Sequence, residues 1–203
     1  MAKVVVAYHS GYGHTRNQAE AVREGAASVP GVEAKLVCVT DADEKTFAEL
    51  NEADAIIFGA PTYMGGPSAQ FKKFADATSK VWATQAWKNK VAGGFTNSAS
   101  LAGDKGLTLH YFITLAMQHS MIWVGMDVLP ANTSKSQRND LNRIGSFIGP
   151  MAQSDADVGP DAAPPPGDLE TARRYGRRVA QITARFTAAK ESELAQPALP
   201  KAA

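Results

Sequence analysis

The stretch Lys3-Val4-Val5-Val6-Ala7-Tyr8-His9-Ser10-Gly11-Tyr12-Gly13-His14-Thr15 decides how the rest of the chain is read. Its first half is a continuous apolar run, which suits a strand buried on both faces rather than one with a wet side. Its second half is a glycine-rich turn leading into Thr15, Ala19, Val22 and Ala26, a spacing that puts small apolar side chains on one face of a helix. Such a turn gathers backbone N–H groups at a helix N-terminus, and Ser10 and Thr15 add hydroxyls, so the loop reads as an anion cradle. Gly-Lys-Ser/Thr is absent, and so is the third glycine of the dinucleotide fingerprint. Hydroxyl and amide donors without a lysine in the loop suit a terminal monophosphate better than a triphosphate held with Mg²⁺.

Working outward, four more apolar runs follow: Val32 to Val39, Ala55 to Phe58, Val91 to Phe95 and Met121 to Val124. Helical stripes lie between them. One runs Phe71, Phe74, Ala75 and Thr78, another Thr108, Phe112, Leu115, Ala116 and His119, and Asp43 to Leu50 reads as a shorter helix. The strongest stripe is Leu169, Ala172, Tyr175, Val179, Ile182 and Phe186, in a segment opened by Gly167-Asp168 with Asp168 as the expected N-cap. Fivefold alternation predicts an α/β fold, a flavodoxin-like doubly wound five-stranded parallel sheet of order 2-1-3-4-5, with ligand beyond the carboxyl ends of the strands. One domain over residues 1–189 is expected. Residues 125–167 form an excursion far longer than the usual connection of about 2–6 residues, of a length to cover a site or reach a neighbouring subunit. Its part from Ser154 to Pro166 reads equally as a disordered surface loop. Residues 190–203 are expected to be a disordered tail.

Composition narrows the function classes. The chain of 203 residues is 44% hydrophobic and 20% charged, which excludes a disordered or fibrous protein. Lys plus Arg number 21 against 20 Asp plus Glu, so the net charge of +1 offers no basic excess for nucleic acid and no acidity for steering a redox partner. Cys38 is the one cysteine, so no disulfide framework exists, and the four histidines have no metal-ligand spacing; no metal is expected. No apolar run reaches the ~18 residues of a membrane span, and the N-terminus lacks a leader's apolar core. A cytoplasmic chain without membrane insertion is the expectation.

Two further loops share the chemistry of the first. The third strand ends at Gly59-Ala60-Pro61-Thr62-Tyr63-Met64-Gly65-Gly66-Pro67, where proline sets direction, glycines allow close backbone approach, and Tyr63 and Met64 offer surface for a ring. The fourth ends at Phe95-Thr96-Asn97-Ser98-Ala99-Ser100-Leu101-Ala102-Gly103, again small residues with hydroxyls.

With these loops, Trp82 in Lys80-Val81-Trp82-Ala83, and Leu115-Ala116-Met117-Gln118-His119-Ser120-Met121, most of the chain resembles the flavodoxin-like NAD(P)H:quinone oxidoreductases of the WrbA type. The resemblance implies FMN as cofactor and NADH or NADPH as electron donor. Ser10, Gly11, Tyr12, Gly13, His14 and Thr15 would hold the phosphate. Pro61, Thr62, Tyr63, Met64 and Gly65 would line the ring, and Asn97, Ser98, Ala99, Ser100, Leu101 and Ala102 would touch the isoalloxazine and ribityl groups. Tyr12 would also meet the nicotinamide cofactor, Trp82 and Phe147 would face the substrate, and His119 would be the catalytic residue, beside the quinone oxygen or the flavin. It further implies a homo-oligomer, a tetramer or dimer, whose pockets neighbouring chains complete.

This chain departs from the family pattern at several positions. Tyr63 and Met64 replace an arginine and an aromatic residue, and Ala99, Leu101 and Ala102 interrupt the third loop. Gln118 and His119 stand where two histidines are usual, with a one-residue shift. Arg143-Ile144-Gly145-Ser146-Phe147-Ile148-Gly149 replaces the family's Gly-Gly-Ser/Thr-Pro-Tyr-Gly segment. The leading reading is two-electron transfer from NAD(P)H to a small quinone by a ping-pong mechanism. A flavodoxin-like electron carrier and an FMN reductase releasing reduced flavin are the alternatives.

Overall fold

The computed structural model describes residues 1–195. Along the chain run β1 (Ala2–Tyr8), α1 (His14–Ala27), β2 (Val32–Cys38), α2 (Glu44–Glu52), β3 (Ala55–Tyr63), β4 (Gly66–Pro67), α3 (Ala69–Ala77), α4 (Ser79–Thr84), β5 (Val91–Ser98), α5 (Lys105–Gln118), β6 (Ile122–Trp123), β7 (Met151–Gln153) and α6 (Pro166–Ala195). The main sheet order is β2-β1-β3-β5-β6, all parallel. Counting these five strands in sequence gives the expected 2-1-3-4-5.

Strand alternation sorts the core into two layers. Val5, Ala7, Ile56, Phe58 and Ala92 face one layer with Leu50, Phe71, Phe74, Trp87 and Phe112 from α2, α3, α5 and the turn after α4. Val4, Val6, Ala55, Ile57 and Phe95 face the other, with Val22 of α1 and Tyr175 and Val179 of α6. The continuous apolar runs thus mark strands buried on both faces. Helices α1 and α6 touch backbone to backbone: a Cβ on Gly176 would stand 1.9 Å from the Val22 carbonyl oxygen, and one on Gly25 1.8 Å from that of Arg173. The Tyr175 hydroxyl pins α6 to the sheet, donating to the Val124 carbonyl at 2.6 Å and accepting from the Gly94 N–H at 3.1 Å.

The fifth strand differs from expectation. Its first piece, β6, pairs Ile122 and Trp123 with Val91 and Ala92; after the excursion β7 resumes the same lane, pairing Met151, Ala152 and Gln153 with Thr96, Asn97 and Ser98. The part of the expected excursion before β7 is therefore an insertion within an edge strand, and the part from Ser154 onward is a strap tied to α1 and β5. Asp168 is not an N-cap. The helix starts at Pro166, and Asp168 sits in its first turn, where its buried carboxylate accepts from Gln153 N–H at 2.9 Å and from Arg143 at 3.1 and 3.2 Å. Helix α6 runs through residue 195, into the segment expected to fray; the remainder of that expected tail, residues 196–203, lies outside the described residues. Among the described residues no helix is long and apolar enough to cross a membrane.

Candidate functional site

The carboxyl ends of β1, β3 and β5 open into a pocket of about 800 Å³, walled on the fourth side by the strap from Ser154 to Pro160. The volume lies within the ~300–1,000 Å³ usual for small-molecule sites. The place is the switch point where the winding leaves β1 in both directions.

The first loop is built as an anion cradle. Ser10 Oγ accepts from the backbone N–H groups of Gly13 and Arg16, each at 3.1 Å, gathering two amides at the start of α1 onto one oxygen. Gly13 has φ +90°, and a Cβ there would meet the Pro160 ring at 2.9 Å, so glycine serves both the turn and the strap's close approach. The strap is tied to the cradle: His14 Nε2 donates to the Val158 carbonyl at 2.8 Å, and the Asn17 amide donates to the carbonyls of Pro160 and Ala163.

The second loop begins later than expected, since Pro61, Thr62 and Tyr63 are the last residues of β3. Tyr63 lies edge-on to Tyr12, ring centres 6.2 Å apart, with its hydroxyl over Gly11. Burial pushes the Tyr63 phenol up. The Thr62 hydroxyl sits between those of Thr96 at 2.8 Å and Thr108 at 2.7 Å, which fixes the floor between β3, β5 and α5.

The third loop starts inside β5, which carries Asn97 and Ser98. It is braced by the strap: Ser154 N–H donates to the Ser98 carbonyl and Ser154 Oγ to Asn97 Oδ1, both at 3.1 Å. Gln153 Nε2 donates to the Ala99 carbonyl at 3.1 Å. From below, Lys105 Nζ donates to Ser98 Oγ at 2.8 Å and to the carbonyls of Ser100 and Leu101 at 2.7 and 2.9 Å.

Of the sequence-predicted residues, Tyr12, His14, Thr15, Pro61, Thr62 and Tyr63 line this pocket, as do Asn97, Ser98, Ala99 and Ser100. Ser10, Gly11 and Gly13 shape the cradle from behind. Met64 is fully exposed and, with Gly65, turns away at positive φ; Leu101 and Ala102 are exposed on the outer rim.

Three of the expected residues are not brought to this chain's own pocket. His119 follows the far end of α5, 1% exposed, its ring 4.6 Å from Trp87 and its Nε2 2.9 Å from Thr78 Oγ1. Thr78 gives its own proton to the Ala75 carbonyl, so His119 Nε2 is the donor and Nδ1 is buried without a partner. Burial pushes this imidazole's pKa down, and the ring packs at the other end of the sheet from this chain's own pocket. Trp82 is on α4 and Phe147 in the excursion, both exposed and outside the lining of this chain's own pocket. Sequence reasoning missed Lys105, and although it allowed the long excursion to cover a site, it named none of the strap residues Asp155 to Pro160. A forty-residue connection ending beside the cradle was the signal for the strap.

A model of the NADPH-dependent FMN reductase family matches residues 3–135. The chain belongs to this family. The match spans the cradle and the loops after β3 and β5, and ends inside the excursion. Among curated relatives of this family member, "Flavodoxin FldP" of Pseudomonas aeruginosa is 50% identical, covering 90% of this chain and 97% of its own. An "NAD(P)H dehydrogenase (quinone)" of Geobacter sulfurreducens is 37% identical, covering 90% and 98%. Among solved structures, a flavodoxin, WrbA-like protein from Agrobacterium tumefaciens is 49% identical with a TM-score of 0.70, covering 91% of this chain and 99% of its own.

The reductase family's cofactor fits the residues present. Two amides already converge on one oxygen at a helix start, two tyrosines face the opening, and the polar third loop lies across from them.

Proposed function

We propose that this FMN reductase family member is an FMN-dependent oxidoreductase that passes two electrons from NAD(P)H to quinones. FMN supplies the acceptance and delivery of hydride; the protein supplies position and access. Ser10, Thr15 and the amides of the first loop hold the phosphate. Tyr12 and Tyr63 flank the ring, and Asn97, Ser98 and Ser100 meet its polar edge. The observation that carries the reading is the pocket at the strand ends, with Tyr12, 76% exposed, among its lining residues. A donor and an acceptor that use the same pocket take turns, which is ping-pong kinetics. The relatives named as quinone dehydrogenases support the same chemistry. Trp82, exposed on α4, meets an acceptor only where a neighbouring chain brings it, so the reading includes a homo-oligomer.

A second reading, an electron carrier, is favoured by the 50% identity to a flavodoxin. The net charge of +1 gives it no acidic surface for steering. Steady-state NAD(P)H oxidation with benzoquinone, with free FMN as blank, separates the two. Turnover well above the blank with parallel double-reciprocal lines is expected. Turnover at the blank rate, with one-electron reduced flavin accumulating under dithionite, would establish the carrier instead.

A further inference from the structure

Lys105 is wholly buried and begins α5, a place that opposes a cation twice over. Desolvation disfavours its charge, and so does the positive end of the helix dipole. Neutral donors could have held the loop at smaller cost, so the charge itself calls for a role. All three ammonium protons go to the third loop: to Ser98 Oγ and to the carbonyls of Ser100 and Leu101. In a trans peptide the N–H points opposite to the C=O. Drawing those two carbonyls inward therefore turns the N–H groups of Leu101 and Ala102 to the loop's outer side. Ser98, held by the same amine, lines the pocket.

We infer that Lys105 is a positioning residue for the cofactor: its ammonium sets the third loop in the form that receives the flavin's polar edge, so FMN affinity depends on this amine staying protonated. The inference rests on the reading that Asn97, Ser98 and Ser100 meet the ring.

The charged groups facing Lys105 are Asp168 of α6, which favours its proton, and Arg143 of the excursion, which opposes it. Burial outweighs both, and the amine is pushed down to about 8. Deprotonation removes the charge and one of the three N–H donors, which weakens the hold on the loop. Affinity for FMN should fall as pH rises through this value. The FMN phosphate, with its second pKa near 6, keeps a constant charge over about pH 7 to 9 and leaves the window clear.

The test is a fluorescence-quenching titration of apoprotein with FMN across that window, for the wild type, Lys105→Met and Lys105→Arg. The wild-type Kd should weaken with a midpoint near 8. Lys105→Met should bind roughly tenfold more weakly at pH 7 with a flat profile, and Lys105→Arg, which cannot lose its charge, should bind more tightly than Lys105→Met and also stay flat. A flat wild-type profile, or Lys105→Met binding as the wild type does with the same profile, overturns the inference. Should the methionine variant fail to fold, the wild-type profile decides together with amide exchange at residues 98–103, which must quicken above pH 8 beyond ordinary base catalysis. Absence of any FMN binding would instead remove the functional reading.

Discussion

Lys105 pulls stability and binding in opposite directions. An amine titrating at about 8 in the fold and near 10.5 in the unfolded chain leaves the unfolded state holding more protons between those values. Stability from this group therefore rises with pH over that window, while its burial cost, about 3 kcal/mol, is felt in full below it. Urea denaturation of apoprotein should show the wild type gaining on Lys105→Met by up to about 3 kcal/mol between pH 8 and 10.5. A constant difference across that range would contradict the buried charge. The cradle at Ser10 to Thr15 was legible in the sequence because glycine, hydroxyl and helix start declare themselves locally. Lys105 was not, because a lysine in a helix's first turn looks like any solvated residue until the loop above it is folded down.

Helices α1 and α6 cross through Gly25 and Gly176, where no side chain fits between the backbones. Gly176→Ala should lower stability by about 2–4 kcal/mol in chemical denaturation, overpacking exceeding the gain in helix propensity. Gly106→Ala in α5, where a Cβ would meet nothing within 4 Å, should instead raise it by about 0.5–1 kcal/mol. The five principal strands and the long helices were readable from periodicity, since each repeats its pattern over several residues. Strands β6 and β7 were not: pieces of two and three residues carry no period and exist only through pairing with β5. The strap showed only as an over-long connection, and its residues were not legible for the same reason. Its order comes from His14, Asn17, Asn97 and Ser98, all distant in the chain.

At the level of the molecule, the layer bearing α4 and α5 leaves Trp82 49% and Met117 48% exposed beside the buried His119. Isolated exposed aromatics are ordinary, but this layer contains the segments that sequence resemblance assigned to the substrate. If chains complete one another's pockets here, light scattering should give a multiple of the 21.5 kDa chain mass, and Trp82→Asp should shift it to the monomer and weaken quinone turnover while sparing FMN binding. A wild-type monomer would sink this expectation. The fold class and the site's location were legible because strand order and switch point follow from connectivity. The end of the sheet at which His119 sits follows from the same connectivity, since a crossover helix returns the chain to the strands' amino ends; its packing against Trp87 and Thr78 was not legible, because those contacts form only in the folded layer.

The split edge strand has a genetic consequence. The chain leaves the lane after Trp123 and rejoins it at Met151, with only Gly93, Gly94 and Phe95 between the β5 partners of the two ends. Three extended residues, at about 3.3 Å each, would close that seam. Residues 124–150 therefore have the form of an indel: descendants could shed or lengthen them by in-frame events while sheet order and cradle are inherited unchanged. The toll would fall on what the segment contributes: the Val124 carbonyl that receives the Tyr175 hydroxyl, the buried side chains of Val124 and Met126, and the Arg143 partner of Asp168.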